Sequence, residues 1–349
     1  ENFRGEIYHT SRWPDGPLDL TGKRVGIIGT GSTAIQAAPI LAEQCKHLTV
    51  FQRTPAYSMP SGNRPMDAAL ERDWKDNYPD RRARMIDTYG VSIIDYPTRS
   101  AHDYTPAEQR EILEAGWASK SAFQLMVAFT DVMTDRAANE VVCEFVRGKI
   151  REIVKDPEVA RKLMPQDLYA KRPLCDSGYY ATYNRPNVKL LDVKANPIAE
   201  ITPKGVRTAD GVEHELDMLI FATGFDAVDG NYTKIDIRGR NGLSIKDHWK
   251  SGPTSYLGMT NVNYPNMFMV LGPNGPFTNL PPSIETQVEW ISELISEVNA
   301  KDMSTVEPTK SAEASWTKTC QEIAGMTLFP KAESWIFGAN IPGKPRVFM

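Results

Sequence analysis

A glycine-rich turn near the N-terminus is the clearest chemical signal in the sequence. It fits the pattern G-x-G-x-x-[G/A] and consists of Gly29, Thr30, Gly31, Ser32, Thr33 and Ala34. Gly29 permits a tight turn, Gly31 lets the backbone approach a pyrophosphate, and Ala34 is small enough for close packing of a helix on a strand. The N-terminus of that helix would offer N–H groups to the phosphates. The motif predicts a dinucleotide site; the alternative is a glycine-rich turn that binds nothing.

The residues that follow the second expected strand indicate which dinucleotide would bind. NAD sites place an Asp or Glu there, which accepts a hydrogen bond from the ribose hydroxyl. This chain has Gln52, Arg53 and Thr54 instead. A guanidinium and a hydroxyl can bind a 2′-phosphate, whereas a carboxylate would repel it. We therefore interpret the site as one for NADP(H); the alternative is that Arg53 is an ordinary surface charge.

The elements around the motif have the order of a βαβ unit. Arg24–Ile28 has the composition of a short buried strand, a helix is expected from Ser32 to about Ala42, and His47–Gln52 follows as a second strand. Strand, turn, helix and strand fit within the roughly thirty residues that such a unit needs.

The remainder of the chain is less regular in pattern. Residues 1–22 are rich in Pro and Gly and are expected to be irregular, residues 62–165 are expected to be mainly helical, and residues 186–226 have strand character. Further along, Met267–Leu271 is expected to form a strand, and a capped helix is expected to begin at Ser283.

Composition limits the class of protein. The chain has 349 residues, which suggests about two domains, and its net charge of −4 provides no strong field for nucleic acid or an anionic membrane. Its four cysteines are scattered, which indicates reduced thiols and a cytoplasmic protein. No His or Cys cluster has the spacing of metal ligands, so no metal is expected, and His102, His214 and His248 have no evident partners. The longest apolar stretch, Met218–Ala222, is too short to span a bilayer.

A second motif precedes the glycine-rich turn, and its fixed positions are Phe3, Gly5, His9, Trp13 and Pro14. It resembles the F-x-G-x-x-x-H-x-x-x-W-P fingerprint of Baeyer–Villiger monooxygenases. Related flavin monooxygenases that oxidise nitrogen and sulfur carry Tyr or Phe where this chain has Trp13-Pro14. Stretches that begin at Lys171, Ala222, Gly272 and Trp335 are also similar to the Baeyer–Villiger family.

The resemblance implies an enzyme that uses FAD, NADP(H) and O₂ to convert cyclic ketones into esters or lactones through a C4a-peroxyflavin. Arg172 resembles the family's active-site arginine, a permanent cation beside the reacting oxygen. Lys171 resembles a residue that contacts the 2′-phosphate of NADP. The other positions that match NADP contacts are Ser32, Thr33, Gln36, Arg53 and Thr54.

The resemblance also gives roles to residues that composition alone would leave unassigned. Trp335 resembles a mobile-loop tryptophan that packs on the bound nicotinamide nucleotide. Phe277, Thr278 and Leu280 resemble a loop that lines the ketone pocket and the flavin edge. Without the resemblance, Lys171-Arg172 would be read as a surface dipeptide and Trp335 as a core residue.

One departure from the family concerns FAD. The family carries an earlier GxGxxG for FAD, and this chain has a single dinucleotide fingerprint. We therefore expect a fragment without the N-terminal FAD half-domain and the extreme C-terminus, which by itself neither binds FAD nor oxygenates ketones. The expected fold is α/β. Its parts are a fingerprint linker (1–22), a Rossmann-like NADP-binding domain (23–225) with a helical subdomain (62–165), and the later part of an FAD and substrate domain (226–349).

Two other functions remain open at this stage. One is a flavin monooxygenase that oxidises nitrogen or sulfur, against which Trp13-Pro14 argues. The other is a stand-alone NADP(H)-binding module without catalysis. The expected partners are a small ketone and O₂, without nucleic acid or a membrane, and the protein is expected to be monomeric.

Overall fold

Parallel strands form the main sheet of the protein. The structure is a computed structural model that describes residues 2–121, 123–276 and 278–348. In this part of the chain the strands are β1 (Glu6–His9), β2 (Arg24–Ile28), β3 (His47–Gln52), β4 (Ser58–Pro60), β5 (Leu174–Asp176), β6 (Val188–Asp192), β7 (Ile198–Thr202), β8 (Gly205–Thr208), β9 (Glu213–Glu215) and β10 (Met218–Phe221).

Eleven α-helices lie in the described part of the chain. They are α1 (Ser32–Gln44), α2 (Ala68–Asp76), α3 (Tyr78–Ile86), α4 (Pro106–Ser119), α5 (Arg136–Ile153), α6 (Pro157–Leu163), α7 (Tyr179–Thr182), α8 (Gly230–Thr233), α9 (Ile245–His248), α10 (Leu280–Ala300) and α11 (Lys310–Gly325). Among the described residues, no helix is both long enough and apolar enough to cross a membrane.

The main sheet has the strand order β1-β10-β2-β3-β6, and every neighbouring pair is parallel. Val25 and Ile27 on β2 and Met218 and Leu219 on β10 are fully buried. Such continuous apolar runs are typical of parallel strands that are covered on both faces. Helix α1 connects β2 to β3, so the βαβ unit and the α/β fold class predicted from the sequence are confirmed.

Two smaller sheets accompany the main one. Strands β4 and β5 form a parallel pair, and β7, β8 and β9 form an antiparallel sheet. Gly211, in the turn between β8 and β9, has a φ of +84°, which glycine adopts without strain.

The chain divides into two compact units. The first contains Glu1–Asn63 and Tyr96–Phe225, and the second contains Arg64–Asp95 and Asp226–Met349. The sequence prediction also placed a boundary after residue 225. The contacts further group α2 and α3 with the second unit, whereas the sequence prediction included them in a helical subdomain of the first.

Two expectations about strands were wrong. Residues 1–22 are not wholly irregular, because Glu6–His9 forms β1 at the edge of the main sheet. An edge strand has one neighbour, and its exposed or half-exposed side chains carry no apolar pattern. Met267–Leu271 is not a strand: Asn266 and Leu271 have φ values of +59° and +56°, so the backbone leaves the extended conformation at both ends of the apolar run.

The start of α10 was predicted three residues too late. The helix begins at Leu280 with Asn279 as its N-cap, and prolines occupy its first turn. Proline is tolerated there because its missing N–H would have no intrahelical acceptor. Ser283, the predicted start, lies one turn inside the helix and donates its hydroxyl to the carbonyl oxygen of Asn279 (2.8 Å).

Candidate nucleotide-binding site

The backbone at Gly29 adopts a conformation that other residues rarely reach. Its φ is +117°, and a Cβ at this position would lie 2.3 Å from the carbonyl oxygen of Ala222. Gly29 also donates its N–H to the carbonyl oxygen of Phe51, with an N···O distance of 3.1 Å. Glycine is therefore required at the point where β2 turns towards α1.

Gly31 has open space around it. It is the N-cap of α1 with a φ of −81°, and a Cβ there would meet nothing within 4 Å. No side chain caps the helix, whose first turn contains the half-buried Ser32 and the exposed Thr33. An uncapped helix N-terminus beside open space fits an anion such as a pyrophosphate, because the first N–H groups carry partial positive charge.

The segment after β3 lies against this turn. The Thr30 hydroxyl is buried and donates to the carbonyl oxygen of Thr54 (2.7 Å). Gln52 is also buried, and its Nε2 donates to the carbonyl oxygen of Lys162 (2.7 Å). Between Gln52 and Thr54, Arg53 is exposed and forms no hydrogen bond or ion pair with any residue that the structure describes. Arg53, whose guanidinium has no partner among the described residues, therefore lies at the carboxyl end of β3, next to the glycine-rich turn.

The β4–β5 pair brings two further cations, Lys171 and Arg172, towards the segment that follows β3. Ser58 pairs with Leu174 in parallel register. Because parallel strands run in one direction, the residues that precede them enter from the same end of the pair. Lys171 and Arg172 therefore enter β5 on the side where the Arg53–Thr54 turn leads into β4.

A buried carboxylate fixes this pair of strands. Asp176 accepts hydrogen bonds from the Ser58 hydroxyl (2.5 Å), the Gly178 N–H (2.8 Å) and the Tyr179 N–H (2.7 Å). No role was predicted for Asp176, since a single carboxylate in a sequence does not reveal the donors that the fold brings to it.

Helix α1 is linked to β5 as well. The Nε2 of Gln36 donates to the carbonyl oxygen of Cys175 (3.3 Å), which connects the helix of the glycine-rich turn with the strand that follows Arg172. Burial raises the pKa of the Cys175 thiol, so its sulfur stays protonated at neutral pH.

The two neighbouring cations differ in their partners. The ammonium of Lys171 pairs with the carboxylate of Asp167, and each of the two side chains is 32% exposed. Arg172 is exposed and has no hydrogen bond or ion pair among the described residues. The sequence did not predict the Lys171–Asp167 pair, because the segment between them lacks the helical pattern that would indicate an i,i+4 contact.

The first half of the fingerprint motif has a structural role. Phe3 packs against a buried cluster that includes Phe51 and Leu219. A Cβ on Gly5 would lie 2.4 Å from the carbonyl oxygen of Asp217, so no larger residue fits there without rearrangement. These two positions attach the N-terminal segment to the main sheet.

The second half of the motif forms a short capped turn. The Nδ1 of His9 accepts the N–H of Ser11 (3.1 Å) and caps the 3-10 helix that follows β1. Trp13 is 44% exposed and lies beside Tyr8, with ring centroids 5.8 Å apart, while Pro14 is half-buried. These contacts give His9 and Trp13 structural roles at the end of β1.

The remaining predicted site residues belong to the second unit. Thr278 donates its hydroxyl to the carbonyl oxygen of Gly90, and Leu280 is the first residue of α10 with 45% of its surface exposed. Phe277 lies outside the described residues. Trp335 opens a 3-10 turn and is half-buried, packed against a cluster that contains Ile336 and Phe337.

All three histidines that were expected to lack partners have them. The Nε2 of His214 lies 3.3 Å from the Thr208 hydroxyl, the Nε2 of His248 lies 3.7 Å from Glu313, and His102 lies beside two carboxylates. The Nε2 of His102 lies 3.2 Å from Asp135 and 3.9 Å from Asp131. Both carboxylates also cap backbone groups, since Asp131 accepts the Ala101 N–H (2.9 Å) and Asp135 accepts the Ala138 N–H (2.8 Å). The expectation that His102 has no constellation around it was wrong, because the three residues come from separate turns.

Several known proteins are similar to this chain, although no family model matches it. It is 57% identical over 343 residues to a cyclohexanone 1,2-monooxygenase of Acinetobacter sp., covering 98% of this chain and 63% of the relative. It is 54% identical to a Baeyer–Villiger monooxygenase of Pseudooceanicola batsensis, covering 100% of this chain and 64% of the relative. It is 49% identical to the phenazine N-monooxygenase PhzNO1 of Lysobacter antibioticus, covering 99% of this chain and 64% of the relative.

A solved structure agrees with these relationships. The crystal structure of cyclohexanone monooxygenase from Rhodococcus sp. Phi1 bound to NADP⁺ matches with a TM-score of 0.97 and 55% identity, over 99% of this chain and 66% of that chain. The parallel sheet and its glycine-rich turn are therefore those of the flavoprotein monooxygenases with two dinucleotide-binding domains. Over almost its whole length the chain is homologous to Baeyer–Villiger monooxygenases, which confirms the resemblance seen in the sequence. It spans 63% to 66% of the length of these relatives.

Proposed function

We propose that the whole protein is an NADPH- and O₂-dependent Baeyer–Villiger monooxygenase that converts cyclic ketones into esters or lactones. The observation that supports this most strongly is that the uncapped N-terminus of α1 contacts the Arg53–Thr54 turn through Thr30, while the parallel β4–β5 register brings Lys171 and Arg172 in from the end where that turn leads into β4. The reaction develops negative charge on oxygen, and a permanent cation beside the nucleotide-binding site would stabilise that charge.

The glycine-rich turn and the N-terminus of α1 fit NADP(H). We propose that the N-terminus of α1 binds the pyrophosphate beside Gly31, where the space is open, together with Ser32 and Thr33. Arg53 and Lys171 would bind the 2′-phosphate, with the Thr54 hydroxyl as an additional donor. Gln36, whose Nε2 already contacts β5, would lie at the nicotinamide-binding end of the same helix.

Arg172 is proposed as the catalytic residue. Arginine offers a positive charge and planar donors, and no described residue pairs with the Arg172 guanidinium. FAD, when bound to the whole protein, would accept hydride from NADPH and supply the chemistry that activates O₂. The role of Arg172 is to stabilise the negative charge on oxygen near the ketone. Asp176 would act as a positioning residue, because it fixes the strand that follows Arg172.

Residues of the second unit complete the proposal. Phe277, Thr278 and Leu280 would line the ketone pocket and the flavin edge, and Trp335 would pack on the bound nicotinamide nucleotide. Together with the free cysteines, the finding that no described helix could span a membrane supports the proposal of a cytoplasmic protein. We further propose that it acts as a monomer.

A second candidate function is oxidation of nitrogen, since one relative at 49% identity is a phenazine N-monooxygenase. The test is to supply the whole protein with NADPH and either cyclohexanone or a tertiary amine. We expect lactone formation from the ketone, and a loss of about 10²- to 10³-fold in kcat for Arg172→Ala with little change in NADP⁺ affinity. Formation of an N-oxide without any lactone would favour the second function instead.

A further inference from the structure

In the Lys171–Asp167 ion pair, the carboxylate and the backbone carbonyl of Asp167 have different partners. Apart from Lys171, the Asp167 carboxylate has no hydrogen-bond partner among the described residues. Its carbonyl oxygen, in contrast, accepts the Tyr57 hydroxyl (2.8 Å), which fixes the backbone at this position. The carboxylate therefore contributes little to the local fold beyond its contact with Lys171.

This pair lies beside the turn that follows β3. The Tyr57 hydroxyl that contacts Asp167 belongs to the segment between Arg53 and β4. The Gln52 side chain donates to the carbonyl oxygen of Lys162, at the end of α6 and shortly before Asp167 in sequence. Two contacts thus join the stretch from Lys162 to Lys171 to residues 52–57, the segment that contains Arg53.

Because of its negative charge, the Asp167 carboxylate would compete with a nucleotide phosphate for the Lys171 ammonium. A 2′-phosphate carries nearly two negative charges at neutral pH and three acceptor oxygens, whereas a carboxylate carries one charge and two oxygens. A phosphate near Arg53 would attract the Lys171 ammonium away from Asp167. The carboxylate left behind would then repel the phosphate.

We propose that Asp167 is an internal competitor for Lys171 that lowers the affinity for NADP(H). In the nucleotide-free protein it holds the lysine, and on binding it releases the lysine to the 2′-phosphate. This inference rests on the proposed function, in which Arg53 and Lys171 bind that phosphate. NAD⁺ has no 2′-phosphate, so its affinity should not depend on Asp167.

The test is the affinity of the chain for NADP⁺ and NAD⁺, measured by isothermal titration calorimetry for the wild type and Asp167→Asn. We expect the substitution to tighten NADP⁺ binding about two- to fivefold, the size of the contribution of a partly exposed ion pair, and to leave NAD⁺ unchanged. The matched control is Glu158→Gln, which removes an exposed partner of Arg161 in the same unit and should change neither affinity.

A double-mutant cycle shows whether Asp167 acts through the lysine. In a Lys171→Met background, the gain from Asp167→Asn should shrink, because the lysine is no longer there to be released. Asp167→Ser provides a second variant should the asparagine disturb folding, which the thermal unfolding midpoint reports.

The outcomes separate this inference from the function on which it rests. If the wild type prefers NADP⁺ but Asp167→Asn binds it equally or more weakly, the role of Asp167 is refuted and the nucleotide site stands. An equal gain for NAD⁺ and NADP⁺ would also refute it. A wild type with no preference between the two nucleotides would instead refute the proposed 2′-phosphate site.

Discussion

Two glycines of one motif illustrate how residues determine the site. Gly29 is needed for the backbone, because its φ of +117° and the nearby carbonyl oxygen of Ala222 leave no place for a side chain. Gly31 is not needed for the fold in this way, since its φ is ordinary and a Cβ would meet nothing within 4 Å. What Gly31 preserves is the open space in which a pyrophosphate would lie.

Alanine substitutions separate these two roles. We expect Gly29→Ala to lower the free energy of unfolding by about 1–3 kcal/mol. Alanine is strained at a positive φ, and its Cβ would clash with the carbonyl oxygen of Ala222. Gly31→Ala should leave stability nearly unchanged but weaken NADP⁺ binding. Urea unfolding and calorimetric titration of both variants measure the two effects. A strongly destabilised Gly31→Ala, or one with wild-type affinity, would contradict this division.

The roles of some site residues could be predicted from the sequence, and those of others could not. Arg53 could be interpreted because its position after a strand has a known meaning for nucleotide choice. Asp167 and Asp176 could not, because Asp167 pairs with Lys171 in a segment without a helical pattern and Asp176 accepts from Ser58, which is distant in sequence. Carboxylates of this kind acquire a role only when the fold brings donors to them.

At the scale of elements, the β4–β5 pair matters most for the site. Each strand has three residues, and because the pair is parallel the chain enters β4 from Arg53 and β5 from Arg172 at the same end. Such a short pair has few backbone hydrogen bonds, so the buried carboxylate of Asp176 supplies much of its stability. Its three donors are the Ser58 hydroxyl on β4 and two N–H groups, of Gly178 and Tyr179, at the start of α7.

Replacement of this carboxylate should disturb the elements around it. Asp176→Asn places an amide NH₂ where donors already point, and we expect a loss of about 1–3 kcal/mol in the free energy of unfolding. The affinity for NADP⁺ should fall as well, because Lys171 would lose its fixed position. Hydrogen exchange of the β5 amides would show the local loosening, and wild-type protection in the variant would count against this role.

Elements with strong local patterns were predicted well from the sequence. The buried runs of β2 and β3 and the glycines between them determine the βαβ unit without help from the rest of the chain. Strand β1 was missed because an edge strand needs no apolar alternation, and α10 was placed too late because its prolines resemble a loop. The apolar run Met267–Leu271 was mistaken for a strand, since positive φ angles at its ends are invisible in composition.

At the scale of the whole chain, ion pairs connect segments that are far apart in sequence. Arg24 at the start of β2 forms hydrogen bonds with both oxygens of Asp217 just before β10, at 3.0 and 2.8 Å, and with Glu215 at 2.6 Å. In the second unit, Lys344 pairs with Asp226 (2.8 Å), which links the C-terminal segment to the residues after β10.

The Arg24–Asp217 pair predicts a pH dependence. The hydrogen bonds from Arg24 lower the pKa of Asp217 from 3.8 to about 2. Because the folded pKa lies below the unfolded one, the stabilisation is present above about pH 4 and is lost as the pH falls through 2. Its size should be below about 1 kcal/mol, since both side chains are more than a third exposed.

Unfolding midpoints in urea between pH 6 and pH 2.5 test this expectation against Asp217→Asn. The wild type should be the more stable protein at pH 6, and the difference between the two should narrow below pH 4. A difference that stays constant across this range would show that the Asp217 charge does not stabilise the fold.

The central claim is that the first unit binds a dinucleotide through its 2′-phosphate. The most direct measurement is calorimetric titration of the chain with NADP⁺ and with NAD⁺, for the wild type and for Arg53→Ala. We predict that the wild type binds NADP⁺ at least about tenfold more tightly than NAD⁺, and that Arg53→Ala removes most of this preference, as expected for the loss of a charge-assisted hydrogen bond. Equal affinity for the two nucleotides in the wild type, or binding of neither, would contradict the account.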